Sequence, residues 1–162
     1  MNQPIFLTKK AFDSLLANLI DLEEGINEII DVFFREKSKE TENLKRVLSD
    51  YIQRLDTMIN QVKIDAAADN TFPYAVIGSE VIVEDLGGKE TYNYKLVSPL
   101  KSKIDLHEIS FLSPMGKAML QKKVNDIFVV EAPGGNFDYK ILAVKIADNC
   151  NQFDSSKLHR VL

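Results

Sequence analysis

The sequence has one cysteine and no tryptophan. A single thiol, Cys150, excludes an internal disulfide and is typical of a protein that works in a reducing cytoplasm. No basic cluster surrounds this thiol, so a nucleophilic role is not expected. The only histidines, His107 and His159, lack the cysteine or carboxylate spacing of a metal-binding motif, and we expect both to be surface or structural residues.

An excess of positive charge and long apolar runs are also missing. The net charge of -4 argues against a broad basic face for nucleic acid, because neutralising phosphates requires clustered lysines and arginines. No apolar run is long enough to span a bilayer, and residues 1–4 lack the layout of a signal peptide. With 45% hydrophobic and 27% charged residues, we expect a cytoplasmic globular protein of one or two domains that does not bind membranes.

Residues 8–65 contain no proline, and Gly25 is their only glycine. Apolar residues in this segment recur at alternating steps of three and four, which is the spacing of the buried stripe of a coiled-coil helix. The first stripe consists of Phe12, Leu15, Leu19, Leu22, Ile26, Ile29 and Phe33, and the second of Leu44, Leu48, Tyr51, Leu55, Met58 and Val62.

The two stripes are mirror images of each other. A fold between Ser38 and Lys39 would place every member of one stripe opposite a member of the other, beginning with Phe33 opposite Leu44. This register predicts an antiparallel helical hairpin over residues 1–66, with legs about 35–40 Å long and with Thr8 and Ser38 as N-caps. The alternative is a coiled coil of two chains, in which the mirror register would be a coincidence.

The pattern changes beyond residue 66. Residues 67–75 have no clear period and are predicted to be a linker, and residues 76–148 a β-rich globular domain. Alternating segments between glycine-containing turns predict strands at residues 76–84, 91–97, 108–112, 126–132 and 137–146. Ser113 before Pro114 predicts the start of one helix on this sheet. Residues 149–162 form a polar tail, which we expect to be partly disordered.

Three carboxylates, Glu36, Glu40 and Glu42, lie close together at the turn of the predicted hairpin. A divalent cation is bound by oxygen ligands that include carboxylates, so this turn is the candidate metal site. Lys37 and Lys39 stand among the acids and would weaken cation binding by Coulomb repulsion. The plainer interpretation is that Glu40 and Glu42 are favourable charges in the first turn of a helix.

Tyr92 and Tyr94 alternate on one predicted strand, where they would be able to stack the bases of a single-stranded nucleic acid. Because their surroundings are not strongly basic, packing in the core or at the sheet edge is the favoured interpretation. The glycine pairs at residues 87–88 and 134–135 lack the remainder of a phosphate-binding loop, so they are predicted to be turns.

A coiled-coil hairpin followed by a small sheet-and-helix domain resembles the Gre transcript-cleavage family of bacterial elongation factors. The resemblance covers nearly the whole chain and is most specific at residues 76–81, 84–86, 109–110, 113–120 and 132–135, which recur in the order and spacing of that family. It implies an α+β fold, in which an N-terminal antiparallel coiled-coil hairpin precedes an FKBP-like antiparallel sheet with one helix. Likeness to a prolyl isomerase fold does not by itself imply that activity.

The resemblance also implies the partner. In the Gre family the globular domain docks at the rim of the secondary channel of RNA polymerase, and acidic residues of the tip help to hold a second Mg²⁺ for transcript hydrolysis. We therefore expect a monomer that binds RNA polymerase and meets the nucleic acid of the transcription complex only indirectly. The chain is expected not to be an enzyme, and to have no cofactor beyond magnesium shared with the polymerase.

The tip departs from the Gly-Asp-Leu-x-Glu-Asn pattern of the family. Glu42 and Asn43 match the Glu-Asn pair, whereas Ser38 and Lys39 stand at the glycine and aspartate positions. One acid is thus missing, and Glu40 is the nearest substitute. Two hypotheses follow: a cleavage stimulator in which Glu42, helped by Glu40 or Glu36, holds magnesium, and a non-catalytic channel occupant that inhibits or tunes the polymerase.

Further candidate partner contacts come from the same resemblance. Ser113, Pro114 and Met115 match the family segment that faces the channel rim, although capping and packing of a helix explain these residues equally well. At the tip, Lys39 and Asn43 are the candidate contacts.

Overall fold

The computed structural model describes residues 4–34, 38–100 and 105–147. The helices are α1 (Lys9–Phe33), α2 (Lys39–Ile59) and α3 (Pro114–Met119). The strands are β1 (Ile5–Leu7), β2 (Val62–Ile64), β3 (Ser79–Asp85), β4 (Thr91–Val97), β5 (Glu108–Ser110), β6 (Ile127–Ala132) and β7 (Gly135–Ile146). Among the described residues, no helix is both long and apolar enough to cross a membrane.

The predicted caps of the hairpin are confirmed. Thr8 Oγ1 accepts a hydrogen bond from the N–H of Ala11 at 3.2 Å, and Ser38 Oγ accepts one from the N–H of Thr41 at 3.3 Å. Each cap satisfies a backbone donor that has no partner inside its own helix. α1 ends at Phe33 and α2 begins at Lys39, directly after Ser38. The change of direction therefore precedes Lys39, whereas the mirror register centres it between Ser38 and Lys39.

The central parts of both apolar stripes are buried within a single chain. The residues at most 4% exposed are Leu15, Leu19, Leu22 and Ile29 in α1, and Leu48, Tyr51 and Leu55 in α2. Since one chain already covers these side chains, the stripes do not need a second molecule to bury them. The hairpin is therefore confirmed against the two-chain alternative.

The ends of the stripes differ from the prediction. Phe33 is 47% exposed at the tip. At the other end α2 stops at Ile59, and Val62 lies in β2, which pairs in parallel with β1 through the register Ile5 to Val62. The predicted helical position of Val62 is wrong because its backbone pairs with a strand that precedes α1.

The body is a five-stranded sheet in the order β5-β4-β3-β7-β6, with α3 packed near β6 and β5. The strand pairs are antiparallel except at one edge, where β4 and β5 run parallel with Lys95 opposite Glu108. The α+β architecture of a hairpin and a sheet with one helix is confirmed, and the expectation of a wholly antiparallel sheet is corrected at this edge.

The segment predicted as a linker contributes to the core. Phe72, Tyr74 and Ala75 are at most 1% exposed. The side chain of Asn70 accepts a hydrogen bond from the N–H of Thr8 at 2.8 Å, which ties this segment to the start of α1. Residues 67–75 therefore connect the hairpin and the sheet through packed side chains.

Specific contacts join the hairpin to the body. Tyr51 of α2 is buried, and its hydroxyl accepts a hydrogen bond from the N–H of Ile77 at 2.8 Å. The guanidinium carbon of Arg54 lies 4.3 Å from the ring centroid of Tyr74, a cation–π distance. Buried residues of both parts belong to one continuous hydrophobic cluster.

Candidate functional site

The two described tip carboxylates, Glu40 and Glu42, stand exposed in the first turn of α2. Negative charge is favourable there because the helix N-terminus carries a partial positive charge. Residues two apart are separated by about 200° around a helix and do not face each other. Glu40 and Glu42 therefore diverge from the helix, and this arrangement does not let both hold one ion.

The residues around these carboxylates strengthen that conclusion. Thr41 stands between them, is 2% exposed and lies 3.3 Å from the hydroxyl of Ser38. Lys39 is three positions before Glu42, so the two share one side of the helix. A lysine beside the only carboxylate that matches the Glu-Asn pair opposes cation binding.

A preformed metal site is not found in the part of the chain that the structure describes, where no group of three or more metal-binding side chains is assembled. Glu36 lies outside the described residues, as do Cys150, His159 and the predicted tail. The described residues Glu40 and Glu42 do not fit a shared magnesium ion. The candidate contacts Lys39 and Asn43 are both exposed, and their spacing of four places them on one side of α2.

The three residues of the candidate docking segment at the start of α3 differ in their contacts and exposure. Ser113 Oγ accepts a hydrogen bond from the N–H of Gly116 at 3.0 Å and donates one to the carbonyl of Ser110 at 2.7 Å. Met115 is half-buried against the core, whereas Pro114 is exposed. The side chain of Ser113 is therefore engaged in capping the helix, and Pro114 is the most exposed residue of the three.

Tyr92 and Tyr94 are partly exposed and stack on each other, with ring centroids 5.9 Å apart and an interplanar angle of 21°. The Tyr92 hydroxyl donates a hydrogen bond to a Glu90 carboxylate oxygen at 2.6 Å, which raises the pKa of Tyr92 to about 12. Burial raises the pKa of Tyr139, and the charge of Asp85 adds to that rise. Sequence reasoning missed Tyr139 and Asp85, because only the strand register brings them beside the tyrosine pair.

Comparison with known proteins gives a consistent result. A family model described as "Transcription elongation factor, GreA/GreB, C-term" matches residues 73–146. Transcription elongation factor GreA of Thermosipho africanus is 26% identical over 155 residues, which cover 89% of this chain and 98% of that protein. GreA of Halorhodospira halophila is 36% identical over 95 residues, covering 58% of this chain and 60% of that protein.

A solved structure of a GreA/GreB elongation factor from Nitrosomonas europaea also aligns with this chain. Its TM-score is 0.46 at 18% sequence identity, and the alignment covers 87% of this chain and 98% of that one.

Proposed function

The chain belongs to the Gre-like family of transcription elongation factors, and from this premise we propose that it binds RNA polymerase and regulates elongation through the secondary channel. The helical hairpin enters the channel, and the body docks at its rim. Pro114 is the docking residue of the α3 segment because its side chain is exposed while Ser113 is engaged in capping.

Within that role, we propose a channel occupant that slows or tunes nucleotide addition rather than an efficient stimulator of transcript cleavage. The observation that carries this choice is the divergence of Glu40 and Glu42 around α2. Of the two described tip carboxylates, only one at a time can therefore face the polymerase active centre, and Lys39 lies beside Glu42. The chain is not itself an enzyme.

The exposed apolar residues near the tip support an occupant that contacts protein walls. Val32, Phe33 and Val47 are 52%, 47% and 45% exposed. They lie at the end of α1 and in the first half of α2, where the hairpin projects from the body. Contiguous exposed apolar side chains mark a surface that binds another molecule, and Val32 and Phe33 are consecutive in the chain.

The alternative is a cleavage stimulator that relies on Glu42. The observation that favours it is that Glu42 and Asn43 match the family pair and are both exposed. One carboxylate is sometimes sufficient when the partner supplies the remaining ligands of a magnesium ion.

Halted, backtracked polymerase complexes with magnesium separate the two functions. We expect the wild-type chain to slow nucleotide addition without shortening the RNA. Lys39→Asp, which places an acid where the family pattern has aspartate, is expected to gain RNA shortening. Glu131→Ala, an exposed change on β6, is the control and should behave like the wild type.

Rapid RNA shortening by the wild-type chain that disappears in Glu42→Ala would overturn the proposal in favour of the stimulator. If the chain and the polymerase do not co-migrate on a sizing column, both functions fail. In that second case the family membership stands, but its expected partner does not.

A further inference from the structure

Aromatic side chains gather on one face of the sheet, at the end formed by the β3–β4 turn. The register places Tyr92 opposite Val83 and Tyr139 opposite both Asp85 and Phe128. Directly paired residues point to the same side of a sheet. We call the group formed by Tyr92, Tyr94, Phe128, Phe137 and Tyr139 the aromatic face; Phe128 is its buried member, at 4% exposure.

The rings of the aromatic face form two stacks. Tyr92 stacks on Tyr94, and Phe128 stacks on Tyr139 with ring centroids 5.8 Å apart and an interplanar angle of 23°. Tyr92, Tyr94 and Tyr139 are only partly buried, and Phe137 is 41% exposed. These stacks leave ring surface open to solvent, so a ligand has flat aromatic groups to contact.

Carboxylates stand beside these rings. Glu90 accepts the hydrogen bond of the Tyr92 hydroxyl, and Asp85 contributes to raising the pKa of both Tyr92 and Tyr139. Both acids therefore lie near the tyrosines on the same side of the sheet.

The lysine side chains of the same strands lie on the opposite face of the sheet. Among the described residues of β3, β4, β6 and β7, the lysines are Lys95, Lys140 and Lys145, and each pairs with Glu80 or Glu84 at positions of the opposite face. Lys89 lies in the connecting turn and is exposed. The aromatic face thus combines open ring surface with the carboxylates of Asp85 and Glu90, and none of these three strand lysines lies on its side.

We infer that the aromatic face is a docking surface for an arginine-bearing segment of a protein partner. A guanidinium group stacks on aromatic rings and is attracted by neighbouring carboxylates, which satisfies both properties of this face. The molecule already contains such a contact, since Arg54 lies over the ring of Tyr74.

The same charges weigh against a single-stranded nucleic acid on this face. Stacking of bases on tyrosines requires a basic groove that neutralises the phosphates, whereas Glu90 and Asp85 would repel them. The inference goes beyond the proposed function because the aromatic face includes neither the tip residues nor Pro114, and its test contains no polymerase.

Selective ¹³C labelling of tyrosine gives a direct test with internal controls. The chain has five tyrosines, of which Tyr51 and Tyr74 are buried in the core. On titration with a capped peptide of alternating arginine and glycine, we expect saturable shifts at Tyr92, Tyr94 and Tyr139 and none at the two core tyrosines.

Two further probes give the outcomes that overturn the inference. A peptide with glutamate in place of arginine and a single-stranded oligothymidylate are expected to leave all five signals unchanged. If no signal responds saturably to the arginine peptide, or if oligothymidylate shifts the same three tyrosines, the face is not an arginine-binding surface.

A matched pair of variants separates local recognition from overall charge. Glu90→Gln removes one negative charge beside Tyr92, and we expect it to weaken peptide binding about three-fold. Asp138→Asn removes the same charge from a position on the opposite face, paired with Val129, and should leave binding unchanged. Equal weakening in both variants would show that only net charge attracts the peptide, which would also overturn the inference.

Discussion

Gly78 has a backbone conformation that side chains rarely adopt. Its φ is +93°, and a Cβ built there would run into the side-chain amide of Asn18 on α1. We expect Gly78→Ala to lower the free energy of unfolding by about 1–3 kcal/mol, through backbone strain and displacement of Asn18. Urea denaturation measures this change.

Gly134 supplies the matched control for that measurement. Its φ is not positive, and a Cβ built there would lie 4.0 Å from the ring of Phe137, an ordinary van der Waals distance. Gly134→Ala should therefore change the free energy of unfolding by no more than about 0.5 kcal/mol. Equal losses in the two variants would mean that the contact between α1 and residue 78 does not constrain the fold.

The buried hydroxyl of Tyr51 makes stability depend on alkaline pH. Burial raises the pKa of Tyr51 above its ordinary value, so the unfolded chain releases this proton at a lower pH than the folded chain does. The stabilisation is fully present below about pH 10, where the unfolded tyrosine is protonated, and is lost as the pH rises further.

Replacing Tyr51 by phenylalanine tests this linkage. At pH 8 we expect Tyr51→Phe to lower the free energy of unfolding by about 1–3 kcal/mol, because the N–H of Ile77 loses its acceptor. Between pH 8 and pH 11 the variant should lose less stability than the wild type in urea denaturation. Equal losses over that interval would show that Tyr51 does not contribute to the alkaline decline.

At the start of α3, Ser113 stabilises the helix, and the adjacent Pro114 is the proposed docking residue. Ser113→Ala removes the N-cap of the helix, and we expect a loss of about 1 kcal/mol in the free energy of unfolding. Pro114→Ala changes an exposed side chain and should leave stability within about 0.5 kcal/mol. Binding of fluorescently labelled chain to polymerase is expected to weaken in Pro114→Ala. Unchanged binding would remove Pro114 from the proposed interface.

Among the elements, the hairpin is the part that the sequence predicts best. Its apolar stripes repeat over many turns, and a periodic signal of that length identifies helices and their register. The prediction fails at Val62 because β2 is only three residues long and pairs with β1, which precedes the first helix. A local pattern contains no information about a partner strand so distant in the sequence.

The candidate sites likewise divide into features that follow from local sequence and features that depend on strand pairing. Glu40 and Glu42 follow from the sequence as first-turn residues of α2, and their divergence follows from helical spacing once Ser38 is known to be the cap. The aromatic face does not follow from the sequence. Tyr92 and Tyr139 become neighbours through Asp85 in the register of β3, β4 and β7, which is fixed by packing in the sheet.

At the scale of the whole molecule, specific side-chain contacts join the arm to the body. The hydroxyl of Tyr51 accepts a hydrogen bond from the N–H of Ile77, and the guanidinium of Arg54 lies over the ring of Tyr74. Gly25 of α1 packs closely, since a Cβ built on it would lie 3.1 Å from the side chain of Leu100. These contacts favour one orientation of the arm relative to the body. A fixed orientation suits the proposed function, because docking of the body would then direct the tip along the channel.

A core shared by hairpin and sheet should make the described fold unfold in one transition. Leu55→Ala opens a cavity in α2, at a side chain 1% exposed, and is expected to cost about 2–5 kcal/mol. Far-UV circular dichroism follows the helices, and the ¹³C signals of Tyr92 and Tyr139 follow the sheet during heating. We expect Leu55→Ala to lower both midpoints by the same amount, about 2–4 °C for each kcal/mol lost.

Val32→Ala is the control for that experiment, since Val32 is 52% exposed near the tip and its loss should shift neither midpoint appreciably. Separate midpoints in Leu55→Ala, with the helical signal lost first, would contradict a shared core. The arm would then be an independently unfolding unit, and the contacts of Tyr51 and Arg54 with the body would be too weak to fix its direction. If the arm is held rigidly on the body, the unfolding midpoints of the helical and the sheet signals should coincide and should fall together in Leu55→Ala.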